Sequence, residues 1–474
     1  MMTDQDSRLD LNQVGGSTVY VLSICSVAAL GGLLFGYDTA VIAGAIDYLE
    51  VHFELSAFWK GWAVSNVLVG CMFGAALAGT FSDRLGRKKA LLLSALLFAV
   101  SAIASALPRN LTQLVLARFI GGFGVGIASM LSPLYIAEVS PAHLRGRLVS
   151  LNQITIISGM VVVSIVNWLI AGLPGDESWN VTTGWRWMFA SETLPAGLFL
   201  ACLFFVPESP RWLTKQGREQ EAMDILTRVS GTVRARFEME QIQDAIAYEG
   251  GSFRELFRPG IRVALIIAVV LAVLQQVTGI NAVLYYAPGI FKASGADVTA
   301  TQALLQTVAL QVVNLLFTLV AIRVVDRSGR KPLLLITSAA MGVSLALLGA
   351  SFAFALAPMW IFVFTMLYVA SFAVAMGPVV WVLLSEIFPT RTRGRAMSVA
   401  VVALWIACFA VSQTVPWMFE NLGKPVTFWT YGLMCVVAFV FVLTFVPETK
   451  GKTLEEIEKQ WSKKRKSEYP NAKS

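Results

Sequence analysis

The chain has 474 residues, of which 56% are hydrophobic and only 14% charged, with 37 Lys and Arg against 30 Asp and Glu. Soluble domains carry nearer 25% charged residues. This composition, with a mean hydropathy of +0.67, excludes a soluble enzyme or a nucleic-acid-binding domain and points to a polytopic protein of the lipid bilayer.

In chain order, apolar runs close to or beyond the length that crosses ~30 Å of hydrocarbon recur twelve times. They lie near 19–46, 59–81, 90–107, 111–137, 148–172, 185–206, 262–291, 301–325, 333–355, 358–386, 396–419 and 426–446. The expected organisation is an N-terminal segment (1–18), a six-helix bundle (19–207), a helical linker (208–258), a second six-helix bundle (259–446) and a C-terminal tail (447–474). Of the 37 basic residues, 31 fall in termini and loops on one side, five on the other, and Arg118 alone within a span. By the positive-inside rule this places both termini and the linker in the cytoplasm, in a plasma membrane such as the bacterial inner membrane. The net charge of +7 is therefore an orientation signal, with Lys463-Lys464-Arg465-Lys466 able to touch anionic lipid. All five cysteines lie in predicted spans and there are only two histidines, so no metal site is expected.

Asp38 stands out because it lies inside the first apolar run. An ionised side chain at mid-bilayer costs at least ~2.5–3.5 kcal/mol. A buried carboxyl escapes that cost by taking up a proton or finding a cation, and in a transport pathway such a group can carry a proton.

The two bundles echo each other. Asp83-Arg84-Leu85-Gly86-Arg87-Lys88 recurs as Asp326-Arg327-Ser328-Gly329-Arg330-Lys331, 243 residues on. Glu138, Pro141, Arg145 and Gly146 recur as Glu386, Pro389, Arg393 and Gly394 after 248 residues, and Pro207-Glu208-Ser209 as Pro447-Glu448-Thr449 after 240. Three echoes at nearly constant offset imply two six-helix halves in parallel orientation, a repeat type that rocks about a site near the midplane. The fold class expected is all-α, with twelve transmembrane helices.

These paired loops, with Pro207-Glu208-Ser209-Pro210-Arg211-Trp212, Pro447-Glu448-Thr449-Lys450-Gly451 and Gln275-Gln276-Val277-Thr278-Gly279-Ile280-Asn281 followed by Tyr285-Tyr286, resemble the sugar porters of the major facilitator superfamily. The branch most similar is that of the bacterial D-xylose:proton symporters, and the resemblance runs from about residue 20 to 458. It implies a small-molecule sugar as substrate and a proton as coupling ion, with no other cofactor, no nucleic-acid partner, no enzymatic chemistry, and a protein working as a monomer.

A sugar offers hydroxyls at its edge, which amides can both donate to and accept from. Gln275, Gln276 and Asn281 supply such amides. On a straight helix Asn281 would lie about 120–140° away in projection, so Thr278-Gly279 is expected to break the helix. The resemblance adds Tyr285, Gln153, Asn314, Phe35, Trp381 and Trp405 to the sugar site. Singly, the amides also read as helix–helix glue and the Trp residues as interfacial anchors. Two departures stand out. Leu404 replaces the usual Asn or Gln before the Trp, and Met160 replaces a Gln of the xylose carriers. Both put D-xylose itself in doubt as the substrate.

The family pattern also implies a proton site of Asp38, Arg118 and Glu192, an aspartate at the first position going with symport and an asparagine with facilitated diffusion. A permanent structural ion pair is the plainer reading. Asp83, Arg87, Glu138, Arg145, Glu208, Arg211, Asp326, Arg330, Glu386 and Arg393 gather at inner helix ends. They are expected to form a cytoplasmic gate, pairing across the halves in the state closed to the cytoplasm and parting when it opens, unless they serve topology alone. The function expected is a proton-coupled pentose or hexose symporter working by alternating access. The rivals are a facilitator of the same fold and a sugar sensor.

Overall fold

The computed structural model describes residues 16–141, 143–173, 177–247, 253–388 and 392–450. Among the described residues every regular element is helical, as a lipid setting requires when backbone groups must be satisfied within the segment. The first half holds α1 (Thr18–His52), α2 (Ala57–Leu85), α3 (Arg87–Ala106), α4 (Leu111–Val139), α5 (Arg145–Gly172), α6 (Trp185–Ala190) and α7 (Thr193–Leu203). Three short helices follow, α8 (Pro210–Lys215), α9 (Glu219–Ser230) and α10 (Thr232–Ala247). The second half holds α11 (Pro259–Val277), α12 (Ile280–Lys292), α13 (Ala300–Ser328), α14 (Arg330–Ala353), α15 (Pro358–Ser371), α16 (Gly377–Glu386), α17 (Arg393–Asn421) and α18 (Gly423–Phe445).

Helix starts follow local chemistry. Ser17 and Asn110 side chains accept from the Tyr20 and Gln113 amides, and Thr299 with Gln302 forms a capping box. Close packing then uses small residues. Gly70 and Gly74 of α2 lie against α4 at Gly122 and Gly126, where a Cβ on Gly122 would sit 1.9 Å from the Val67 carbonyl oxygen.

Eleven helical stretches among the described residues are long and apolar enough to span a membrane. The expected sixth span, 185–206, is the exception because it is broken. Pro195 has no N–H to return to Ser191, and a turn at Ser191-Glu192 separates α6 from α7. The break expected at Thr278-Gly279 is present. Gly279 has φ +94 between α11 and α12, and the Tyr368 hydroxyl donates to the freed Thr278 carbonyl at 2.9 Å. The tenth span carries a π turn, Phe372–Met376, ahead of Gly377-Pro378, the kind of bulge that marks functional helices.

The linker is more than a solvated connection. Trp212, Leu213, Ala222, Leu226, Ala235 and Met239 form a second apolar core. Trp212 Nε1 donates to the Asp83 carbonyl at 3.0 Å, and the Ser17 amide donates to Arg228 at 3.0 Å.

Contacts between the halves gather at the end opposite the charged loops. Ser65 Oγ donates to Gln413 Oε1 at 2.7 Å, Gln413 Nε2 donates to the Phe58 carbonyl at 3.1 Å, and Lys292 pairs with Glu177 at 3.2 Å.

Gly279 is constrained twice, by a left-handed backbone and by Tyr431 Cγ, which an added Cβ would approach to 2.6 Å. Gly217 shares the handedness (φ +75) with nothing within 4 Å. Both alanine variants incur a backbone cost of about 1–3 kcal/mol, but only Gly279→Ala adds a clash. Melting in detergent is expected to fall further for Gly279→Ala than for Gly217→Ala, and equal losses would contradict this account of the break.

Candidate functional site

At the charged-loop end the sequence echo is an echo of structure. α3 and α14 each begin after a glycine of positive φ, Gly86 at +92 and Gly329 at +86. Each helix start is held by a carboxylate from the end of its own half. Glu208 Oε1 accepts from the amides of Arg87 (2.9 Å) and Lys88 (3.1 Å), and Glu448 accepts from those of Arg330 and Lys331 (both 3.1 Å). An anion at a helix N-terminus meets unpaired N–H groups and the positive end of the dipole. Arg87 then clasps Glu138 at 2.7 and 2.8 Å, and Arg330 reaches Glu386 at 3.0 Å. Ser209 and Thr449 donate to the same two glutamates at 2.5 and 2.6 Å.

In this structure the charges expected to form the gate pair within each half. Among the described residues these ion pairs join helices of one half and not the two halves. Asp83 faces Arg87 at 3.7 Å and Lys215 at 3.8 Å. Arg145 lies by Glu238 of α10, where burial raises the carboxyl above its usual range while Ser230, Arg145 and Arg234 work against it. Arg211 sits half-buried on α8. The side chains of Asp326 and Arg393 lie outside the described residues, as does the basic cluster 463–466.

In the first half, Arg118 and Asp38 form an ion pair with 1% and 0% of their side chains exposed. Arg118 NH1 donates to Asp38 Oδ1, and NH2 donates to the Asp38 carbonyl at 2.9 Å. The guanidinium also lies over the Phe189 ring, 5.4 Å from its centroid. Glu192, 1% exposed, enters from the α6–α7 turn with its carboxyl in hydrogen-bonding reach of Asp38. The turn is tied to α1 by Tyr37 and Ser191, whose hydroxyls are 2.7 Å apart. Asp38 Oδ2, Glu192 Oε1 and Arg118 Nε are buried without hydrogen-bond partners. Two carboxyls thus lie near one guanidinium, which bonds Asp38 alone, and this leaves a place for one proton.

In the second half, the helix break turns Asn281 back toward Gln276, which a straight helix would not allow. Gln275 Nε2 donates to the carbonyls of Met376 (2.8 Å), the last residue of the π turn, and Gly377 (3.0 Å), the first of α16, and its Oε1 accepts from Gln276 Nε2 at 3.3 Å. Asn281 Nδ2 donates to Gln276 Oε1 at 2.6 Å and to Cys408 Sγ at 3.0 Å. The amides therefore form one chain from α16 through α11 and α12 to α17. Tyr285 is buried next to Cys408. Across the interface Phe35 meets Trp405 with ring centroids 5.7 Å apart, and Trp405 Nε1 is buried without an acceptor.

The remaining sugar-site residues are placed more loosely. Asn314 is buried on α13 and donates to Gln311 Oε1 at 3.3 Å, while Gln153 on α5 and Trp381 on α16 are half-buried. Gln311, Cys408 and Gln413 were not anticipated. A lone amide or thiol on an apolar helix carries no sign of its partner, which comes from a distant helix. Glu448 could have been anticipated, because it repeats Glu208 in the echo.

Burial acts to raise the Glu448 pKa, but the amides of Lys450, Arg330, Lys331 and Thr449 overcome it and hold the carboxyl below its usual range. A depressed carboxylate contributes stability fully above its unfolded value, about 4.3, and loses it as pH falls through the lower folded value. Protection against hydrogen exchange at the start of α14, taken relative to the intrinsic rate at each pH, is expected to hold down to about pH 5 and to fall only in stronger acid. Glu448→Gln removes that dependence, and protection already falling above pH 5 in the parent protein would contradict this role.

The arabinose-proton symporter of Bacillus subtilis is 44% identical, covering 94% of this chain and 96% of that protein. The D-xylose-proton symporter of Escherichia coli is also 44% identical, covering 96% and 98%. A solved structure of the E. coli xylose transporter XylE, in a partially occluded inward-open conformation, superposes with a TM-score of 0.84. It is 43% identical and the match covers 92% of this chain and all of that one. With residues 24–461 matching the family described as sugar (and other) transporters, the chain belongs to that family.

Proposed function

We propose that this chain is a proton-coupled monosaccharide symporter that works by alternating access, carrying a pentose or hexose with a proton across a bacterial inner membrane. The observation that carries this reading is the buried Asp38–Arg118–Glu192 cluster, which has two carboxyls for one cation. The arabinose and xylose symporters among its relatives support the same reading.

Ionised, Asp38 holds Arg118. Protonated, it releases the guanidinium and loosens α1 from α4. Because Phe35 lies one turn before Asp38 and touches Trp405 of the other half, a change at the proton site reaches the sugar site through a single helix.

The sugar's hydroxyls fall to Gln153, Gln275, Gln276, Asn281, Asn314 and the Trp405 indole, and its apolar face to Phe35, Tyr285 and Trp381. Residues 19–207 and 259–446 act as the two rocking bundles, with 208–258 and both terminal segments, 1–18 and 447–474, in the cytoplasm. The repeated charge networks brace each bundle as a unit, so that motion is confined to the interface between them. One proton moved through 100 mV supplies ~2.3 kcal/mol, and at 1.4 kcal/mol per decade this sustains roughly 45-fold sugar accumulation. No further cofactor and no second copy of the chain is called for.

Uptake of a panel of labelled monosaccharides into deenergised proteoliposomes, with and without an imposed inward proton gradient, tests the assignment. The expected result is gradient-driven accumulation that Asp38→Asn abolishes while retaining exchange of the same sugar. If both proteins merely equilibrate sugar and ignore the gradient, the protein is a facilitator. Within the same assay Trp405→Phe keeps the contact with Phe35 but removes the indole donor. One neutral hydrogen bond is worth about 1 kcal/mol, so apparent affinity is expected to fall about five-fold. Unchanged affinity would remove Trp405 Nε1 from the sugar site.

A further inference from the structure

Ser101 of α3 enters neither the family pattern nor the cluster described above, yet it is 1% exposed and its hydroxyl has no partner. Some buried serines return their hydroxyl to the carbonyl four residues back, as Ser164, Ser344 and Ser351 do at 2.7–2.8 Å, while Ser82, Ser105, Ser132, Ser338 and Ser412 have unpartnered hydroxyls as Ser101 has. The location of Ser101 explains why that matters. A Cβ placed on Gly121 of α4 would lie 2.4 Å from Ser101 Oγ and 3.4 Å from Asp38 Oδ1, so serine and carboxyl approach Gly121 from the same side. Glycine at 121 leaves the space between them unfilled. Asp38 Oδ2 and Glu192 Oε1 share this site, both buried and both without a donor. The titratable or charged groups facing it are Tyr37 and Asp38 from α1, Cys71 from α2, Arg118 from α4, Glu192 from the α6–α7 turn and Tyr285 from α12.

A carboxylate only accepts hydrogen bonds, whereas a carboxylic acid also donates one, and a hydroxyl can do either. We propose that Ser101 is a positioning residue of the proton site, whose hydroxyl takes up the hydrogen bond of Asp38 once the carboxyl is protonated and Arg118 is released. The ionised carboxylate is held by Arg118 and the neutral acid by Ser101, so the pair of partners defines the two states of the switch. What sets Ser101 apart from the other unpartnered serines is its place beside Gly121 and Asp38. Gly121 is part of the device, since any side chain there would stand between the two groups.

The inference rests on the symport reading, and the experiment separates the two. Gradient-driven sugar uptake is measured against external pH for the parent protein, Ser101→Ala, Ser101→Thr and Ser105→Ala. Ser105 is also 1% exposed with an unpartnered hydroxyl, and it lies one helical turn beyond Ser101. Losing a hydrogen bond to the protonated acid weakens proton binding. The pH of half-maximal uptake should therefore move to more acid values by about half to one unit in Ser101→Ala. Ser101→Thr should restore it, and Ser105→Ala should leave it in place. Sugar exchange at saturating proton concentration should match the parent in all three variants, which checks that each variant folds. An unshifted midpoint in Ser101→Ala overturns the proposal, as does an equal shift in Ser105→Ala. If Ser101→Ala fails the exchange check, the hydroxyl-retaining Ser101→Thr decides, a parent-like midpoint supporting the proposal and an acid-shifted one overturning it. If the parent protein shows no gradient-driven uptake at all, it is the symport reading that fails.

Discussion

A buried charge in a lipid-embedded bundle must be neutralised or paired, and the organisation of this protein turns on that constraint. Asp38 and Arg118 satisfy it for each other at 0% and 1% exposure, and Glu192 adds a second carboxyl to the same site. Removing one member of such a pair strands the other, at a cost of several kcal/mol. The cluster is therefore either intact or exchanged for a protonated alternative. A group with two permitted states, and nothing stable between them, is what a coupled transporter needs at the point where ion binding becomes motion.

The second half meets a milder form of the same constraint. Its amides are buried or half-buried, and they answer by hydrogen bonding to one another and to the carbonyls of Met376 and Gly377 before Pro378. Helix breaks at Gly279 and in the tenth span are thus part of how the polar chain is satisfied. The two polar clusters lie a short route apart, because Phe35 and Asp38 are on one helix and Phe35 touches Trp405 of the other half. At the charged-loop end, Glu208 and Glu448 hold the starts of α3 and α14 in a network repeated in each half.

Much of this was legible in the sequence, for reasons that differ from residue to residue. Spans announce themselves by length and hydropathy, and Asp38 and Arg118 by being charged where charge is costly. The Thr278-Gly279 break could be inferred from the angular separation of Gln276 and Asn281. The sixth span was drawn as one helix, although Pro195 forces a turn at Ser191-Glu192 that delivers the glutamate to the cluster. At the charged-loop end Arg87 and Arg330 find Glu138 and Glu386 within their own halves. Sequence shows which charges gather at one end but not which helix of two equivalent sets lies nearer. Cys408 and Ser101 were illegible because their meaning comes only from the residues opposite them, Asn281 in one case and Gly121 with Asp38 in the other.

Coupling is reciprocal by thermodynamic necessity, so the central claim is tested most directly by letting sugar drive protons. Proteoliposomes with no imposed proton gradient, clamped at zero potential and carrying a pH-sensitive dye inside, would be given the transported sugar on the outside. The account predicts internal acidification that tracks sugar entry and vanishes in Asp38→Asn. Sugar entry at the same rate with no change in internal pH would contradict it.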